Sequence, residues 1–378
     1  MSNPLVALAR AGQSPWYDGL RRELIASGGL ARLVADGVRG LTTNPAIYEK
    51  AIAETRDYDA ELLPLLGRGL GAEAVYEEMA VHDIQAAADA LRPVYRRTRR
   101  RDGYVSLEVS PEVGRDRRRT LEEARRLWAR VARENAMIKI PGTREGIEAF
   151  RRLVEEGVNV NVTLLFSQEV YEQVAEAWLD GLSARAARDA DLSRSASVAS
   201  FFVSRVDALV DEMLEETARG AQAPEERERI EALRGRAAVA NAKLAYQRYL
   251  ARVASPRWAR LAGRGARPQR LLWASTSTKN PRYPDLFYVE QLIGADTVDT
   301  MPPRTLEAFR DHGRVRRTLT AGLEEARQAA GALEALGISM QAVADRLLED
   351  GLRLFAEPYR KLLATIERRR EAAGAAHP

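Results

Sequence analysis

The chain has 378 residues, of which 46% are hydrophobic, 30% charged and 6% aromatic, enough apolar material for a sizeable core and no basis for global disorder. Its net charge of +4 is a small excess of 58 basic over 54 acidic residues, so composition calls for neither a nucleic-acid nor a membrane partner. With no cysteine and three histidines, His82, His312 and His377, disulfides, thiolate chemistry and Cys- or His-built metal clusters fall away, leaving catalysis to carboxylates, hydroxyls, lysine or arginine.

No uncharged apolar run reaches the length of a membrane span, and residues 1–12 lack the basic, apolar and cleavage regions of a secretory leader, so the expected setting is the cytoplasm. Five lysines, Lys50, Lys139, Lys243, Lys279 and Lys361, stand against 53 arginines. Arginine keeps its proton, whereas a desolvated lysine can release one and act as an amine nucleophile. A lysine retained in an apolar strand is therefore informative.

In chain order, short apolar runs alternate with longer amphipathic stretches, the pattern of repeated βα units. Strands are predicted at 15–18, 40–43, 104–109, 137–140, 158–164, 198–202, 271–274 and 297–301. A helix is predicted over 119–134, with Leu121, Ala124, Leu127, Trp128, Val131 and Ala132 forming one buried stripe. Another opens at Gly142, Thr143 and Glu145 and buries Ile147, Phe150, Leu153 and Val154. Eight strands with intervening helices predict an α/β fold, the (β/α)8 TIM barrel, with helical insertions at 71–101, 181–195 and 224–253. An open doubly wound sheet lacks support, since neither GxGxxG nor GxxxxGK[ST] follows the first strand. The catalytic barrel is expected to span 1–313, and 314–378 to form a helical C-terminal extension packed on it, covering its lower rim. The basic run RRTRRR at 96–101 reads as a solvated helix end rather than a phosphate patch.

Period-two alternation assigns the strand faces. In VSLEVS, Val105, Leu107 and Val109 oppose Ser106, Glu108 and Ser110, and in MIKIP, Ile138 and Ile140 oppose Met137 and Lys139. In VNVNVTLLF, Asn159, Asn161 and Thr163 share the inner face. Asp18, Thr42, Asn44, Ser200 and Arg205 lie at or just beyond other strand ends. Each alone has an ordinary structural explanation, such as a turn cap or an ion pair, and Lys139 could simply pair with Glu108. Together they predict a site at the C-terminal mouth, because burying several polar groups costs about 1–3 kcal/mol each unless they are paired. A neutral lysine amine there attacks a carbonyl, and the resulting iminium is an electron sink that permits carbon–carbon cleavage without a metal or other cofactor.

Six segments carry a family resemblance: LTTNPAIYEKAI at 41–52, VSLEVSP at 105–111, MIKIPGTREGIEA at 137–149, VNVTLLFS at 160–167, SFFVSRVD at 200–207 and WASTSTKNP at 273–281. With these the chain resembles transaldolases, particularly the longer bacterial form with extra helices, over about residues 14–313. The resemblance implies transfer of a dihydroxyacetone unit from a ketose phosphate, sedoheptulose 7-phosphate or fructose 6-phosphate, to erythrose 4-phosphate or glyceraldehyde 3-phosphate, in non-oxidative pentose phosphate chemistry. It implies Lys139 as the Schiff-base lysine, Glu108 with Thr163 as holders of the catalytic water, and Asp18 as acid and base at the cleaved bond. Asn44 and Asn161 match hydroxyl contacts, Ser200 lies beside the ketose, and Arg205 matches one arm of the phosphate site. Where many members have a short Ser-Phe-Arg after strand seven, this chain reads STSTK. Ser275 still matches, and the second cation falls to Lys279 or to a residue elsewhere.

The alternative within the fold is a Schiff-base aldolase that releases dihydroxyacetone instead of transferring it. An Arg-rich scaffold or nucleic-acid binder is the alternative from another class, opposed by the interspersed acidic residues. Sequence leaves open whether the protein is a monomer or a homo-oligomer.

Overall fold

The computed structural model describes residues 3–375, with side chains through residue 372; His377 lies outside the described residues. Its eight strands are β1 (Gln13–Asp18), β2 (Gly40–Thr42), β3 (Tyr104–Glu108), β4 (Ala136–Pro141), β5 (Val160–Leu165), β6 (Ser197–Phe202), β7 (Arg270–Ala274) and β8 (Thr297–Met301). They form a closed barrel in sequence order, with β8 running parallel to β1 through Trp16 opposite Thr300. β2 to β8 are buried throughout, as expected when helices cover the outside of a parallel sheet.

All eight predicted strands are present, and their ends move for local reasons. β5 starts at Val160 because Asn159 serves the loops below it, donating to the Glu134 and Ala136 carbonyls and accepting from the Ala196 amide. A bulge between Val162 and Leu165 puts Leu164 at φ 61°, re-aiming its side chain as such irregularities do.

The predicted helix at 119–134 runs over Arg117–Val131, started by Asp116, whose carboxylate accepts from the Arg119 amide. It ends where Ala132 turns left-handed at φ 46°, so Ala132 is exposed rather than part of the stripe. The helix Arg144–Glu156 is capped by Thr143, which accepts from the Gly146 amide, and closed by Gly157 at φ 89°. Both are endings that their residue types favour. Its neighbour Gln168–Ala186 packs so closely that a Cβ on Gly181 would lie 2.6 Å from the Val154 side chain.

Additional helical material comprises Ala72–Arg97, Pro224–Glu231 and Ala237–Val253, with a single 3-10 turn at Leu192–Arg194. Residues 181–186 complete the helix Gln168–Ala186 rather than opening an insertion. Beyond residue 313 the chain forms Leu323–Ala335 and then Met340–Ala375. The last helix does not cover the lower rim. It lies over the C-terminal mouth against Pro45–Glu54 and Ser204–Gly220, placing Gly351 on Leu164 and Phe355 in the mouth itself. Its Tyr359 ring meets Tyr76 edge-on at 5.8 Å, and Tyr359 donates to Glu73 at 3.2 Å. An apolar stripe over this length seeks the largest uncovered apolar surface, and the β5 bulge presents one. Among the described residues no helix is long and apolar enough to cross a membrane.

Candidate active site

The register aligns the polar strand ends. Asp18 lies opposite Thr42, Glu108 opposite Lys139, and Lys139 opposite Asn161. Lys139 is 5% exposed; its Nζ donates to Glu108 Oε2 at 3.0 Å and to the Thr43 carbonyl at 3.4 Å. Phe355 covers it with a ring centroid 5.4 Å from Nζ. The lysine is thus both paired with Glu108 and on the wall of the mouth, joining two readings that sequence treats as alternatives.

Burial raises the Glu108 carboxyl, the Lys139 charge opposes that rise, and Asp18 adds to it. Burial likewise raises Asp18, against the Lys139 charge and the hydrogen bond from Thr42. Thr42 donates to Asp18 Oδ1 at 2.8 Å and lies 2.6 Å from the Thr300 hydroxyl. Because Thr42 has one proton, that geometry makes Thr300 the donor to Thr42. Two carboxyl groups raised by burial therefore lie near one amine, and Glu108 is in direct hydrogen-bond contact with it.

The mouth is a cavity of about 230 Å³. Asp18, Asn44, Lys139, Thr163, Ser200, Arg205, Ser275 and Lys279 all line it. Asn44 caps the helix Pro45–Glu54 with Oδ1, keeping its amide nitrogen for the cavity. Thr163 is fully buried, and its hydroxyl has no partner among the described residues. Glu108 sits behind Lys139 rather than on the cavity wall. Asn161 lies deeper still and does not line the cavity: its amide donates to Ser106 and accepts from Ser200.

Arg205 follows β6 at the start of Ser204–Gly220. Its Nη1 is buried without a partner, and burial lowers the pKa of the guanidinium against the raising influence of Asp350. Desolvation, then the Arg205 charge, pushes the Lys279 amine down. Lys279 donates to Ser277 at 3.1 Å. Ser275, at φ 57°, lies 2.9 Å from the Ser204 hydroxyl. Two cations sharing one wall make a cavity ready for an anion.

Phe202, Thr300 and Phe355 also line the mouth. The parity that selects Ser200 would have selected Phe202, two residues on, and the same count along β8 reaches Thr300. No sequence signal points to Phe355, which arrives from a helix more than 200 residues away. Among the described residues no group of three or more potential metal ligands occurs.

A closed parallel barrel with a lysine amine at its C-terminal mouth, flanked by two carboxylates, defines an enzyme of the Schiff-base aldolase type. A family model described as Transaldolase/Fructose-6-phosphate aldolase matches residues 15–366. A transaldolase of Thiobacillus denitrificans is 47% identical over 360 residues, covering 95% of this chain and 98% of the relative. One from Trichodesmium erythraeum is 43% identical over 370 residues, with 97% of each covered, and one from Parafrankia is 45% identical over the full length of both. The chain belongs to the transaldolase/fructose-6-phosphate aldolase family and has transaldolase function, that of a transferase. The match extends well past residue 313 and takes in most of the helix over the mouth.

Proposed function

We propose that Lys139 forms an imine with a ketose phosphate, sedoheptulose 7-phosphate or fructose 6-phosphate, and that its dihydroxyacetone unit passes to erythrose 4-phosphate or glyceraldehyde 3-phosphate. The observation that carries this is Lys139 Nζ on the wall of the mouth, 3.0 Å from Glu108. Nζ gives its proton to Glu108 and attacks the ketose carbonyl at C2. The carbinolamine loses water, with Glu108 returning the proton through a water held by the unpartnered Thr163 hydroxyl. Asp18 then takes the proton of the C4 hydroxyl, the C3–C4 bond breaks, and its electron pair is taken up by the iminium.

The released aldose leaves, and C3 of the bound fragment attacks the aldehyde of the acceptor. Asp18 returns its proton to the new alkoxide, one group serving as base and then acid. Hydrolysis of the iminium frees the product ketose and Lys139. Arg205, Lys279 and Ser275 hold the phosphate, Asn44 and Ser200 face the sugar, and Asn161 holds Ser200 from below. The proposed setting is the cytoplasm, in the non-oxidative pentose phosphate pathway.

Borohydride added with fructose 6-phosphate is expected to leave a reduced three-carbon adduct on Lys139, located by peptide mass mapping. Lys139→Arg should abolish both adduct and activity, since Arg cannot form the imine. Active enzyme with an unmodified Lys139 would contradict the mechanism. Omitting the aldose acceptor should stall turnover, which distinguishes transfer from dihydroxyacetone release.

A further inference from the structure

At the opposite end of the barrel a second cavity, of about 300 Å³, opens between the strand starts. Tyr104, Met137 and Val198 form apolar wall, and five arginines, Arg99, Arg100, Arg101, Arg267 and Arg270, surround it. Sequence reads the run at 96–101 as a solvated helix end. Arg96, Arg97, Arg99 and Arg101 are indeed exposed and Arg100 is half-buried, and Arg99, Arg100 and Arg101 also stand at the rim of this cavity.

The charges there are incompletely balanced. Arg270 pairs with Asp102 at 2.9 Å and Arg101 with Asp296 at 2.7 Å. Arg100 donates to the Ser193 hydroxyl and its charge is felt by the nearby Asp191. Among the described residues neither Arg99 nor Arg267 has an acidic partner. Arginine cannot relieve such crowding by losing its proton.

The backbone fixes where two of these side chains start. Arg99 and Arg100 hold φ of 52° and 68°, a left-handed conformation that costs a side-chain-bearing residue and that Gly or Asn adopts more readily. The two residues form the C-terminal turn of the helix Ala72–Arg97, which the Arg100 amide closes by donating to the Tyr95 carbonyl. That turn places two guanidinium groups in succession on one cavity.

We infer that this cavity binds a small phosphoryl-bearing anion with at least two negative charges, at a site separate from the catalytic mouth. Guanidinium forks match phosphoryl oxygens, the volume is that of a small-ligand pocket, and the apolar wall gives room for an organic body. The phosphoryl group is the shared chemistry of two sources, inorganic diphosphate and a nucleoside diphosphate.

The test is calorimetric titration of the full chain with pyrophosphate and with ADP. It is run on an Arg205→Ala/Lys279→Met background, so that the mouth cations contribute nothing whatever the fate of the imine mechanism. Binding of one equivalent that weakens with added salt is expected. Adding Arg99→Ala and Arg267→Ala should weaken it roughly tenfold to a hundredfold, while the same two changes in the wild-type chain leave basal activity unchanged. Tighter binding of ADP assigns an organic phosphate, and tighter binding of pyrophosphate an inorganic one. Arg99→Gly separates binding from folding: it relieves the backbone and should hold or raise the melting temperature while still weakening the anion. No binding in the Arg205→Ala/Lys279→Met chain, or binding indifferent to Arg99 and Arg267, overturns the inference.

Discussion

Lys279 follows β7 and lines the mouth together with Arg205. A charge-assisted contact to phosphate is worth about 1.5–3 kcal/mol. Lys279→Met is therefore expected to raise KM for the phosphorylated ketose roughly tenfold or more, with kcat little changed. Steady-state kinetics decide it, and an unchanged KM would move the second cation elsewhere. Asp299, on the outer face of β8, is fully buried. Burial pushes its carboxyl up to about 7, against the lowering hydrogen bond from Thr276. The unfolded chain ionises this group near the ordinary value of 3.8. Between those values the native state binds the extra proton, and stability falls as pH rises, by at most about 1.4 kcal/mol per pH unit. Asp299→Asn keeps an acceptor for Thr276 without titrating. It should be more stable than wild type at pH 8, with the advantage shrinking toward pH 4 in urea unfolding. Asp207, raised to about 7 by burial, retains its own share of the pH dependence, and equal slopes in the two proteins would refute the assignment.

At the scale of elements, the strands were legible because period two is unambiguous where one face is polar. That reading places Glu108, Lys139 and Thr163 inside the barrel from MIKIP, VSLEVS and VNVTLL alone. Parity gives direction but not depth, which is why Asn161, also inward, proves to lie beneath the mouth with its amide already spent on Ser106 and Ser200. Residues beyond 313 were legible as a helical extension, but helical periodicity does not name the surface the helix Met340–Ala375 will cover. That surface depends on the β5 bulge and on Gly351, whose missing side chain admits Leu164. Its contribution to the site is Phe355, with a ring centroid 5.4 Å from Lys139 Nζ and 6.0 Å from Arg205 Cζ. An aromatic face near a cation is worth about 0.5–2 kcal/mol, and the iminium is a cation. Phe355→Leu should slow imine formation by about two- to thirtyfold, followed by borohydride trapping at timed intervals. An unchanged trapping rate would reduce the ring to packing.

Over the whole molecule, the 53 arginines form no single nucleic-acid stripe; many are engaged in ion pairs between neighbouring helices, such as the two-pronged Arg125–Glu156 contact. Exposed pairs of this kind contribute little each, so cohesion rests on the core. Leu347, Phe355, Tyr359, Leu362 and Ile366 of the last helix belong to the same buried cluster as the barrel strands. Burying a large apolar side chain is worth about 1.5–3 kcal/mol, so these together rival the usual net stability of about 5–15 kcal/mol. We therefore expect residues 314–378 to melt with the barrel in one calorimetric transition, with van't Hoff and calorimetric enthalpies equal. A separate early transition would show an autonomous extension.

The separation of Phe355 from Lys139 along the chain also sets an order of events during synthesis. Asp18, Glu108 and Lys139 all precede the wall above them, which is added more than 200 residues after Lys139. A domain folds as a unit once its parts have been made. On the ribosome, then, the amine stays open to water until the last helix has been made, so the covered reaction chamber and the stability that helix supplies arrive together.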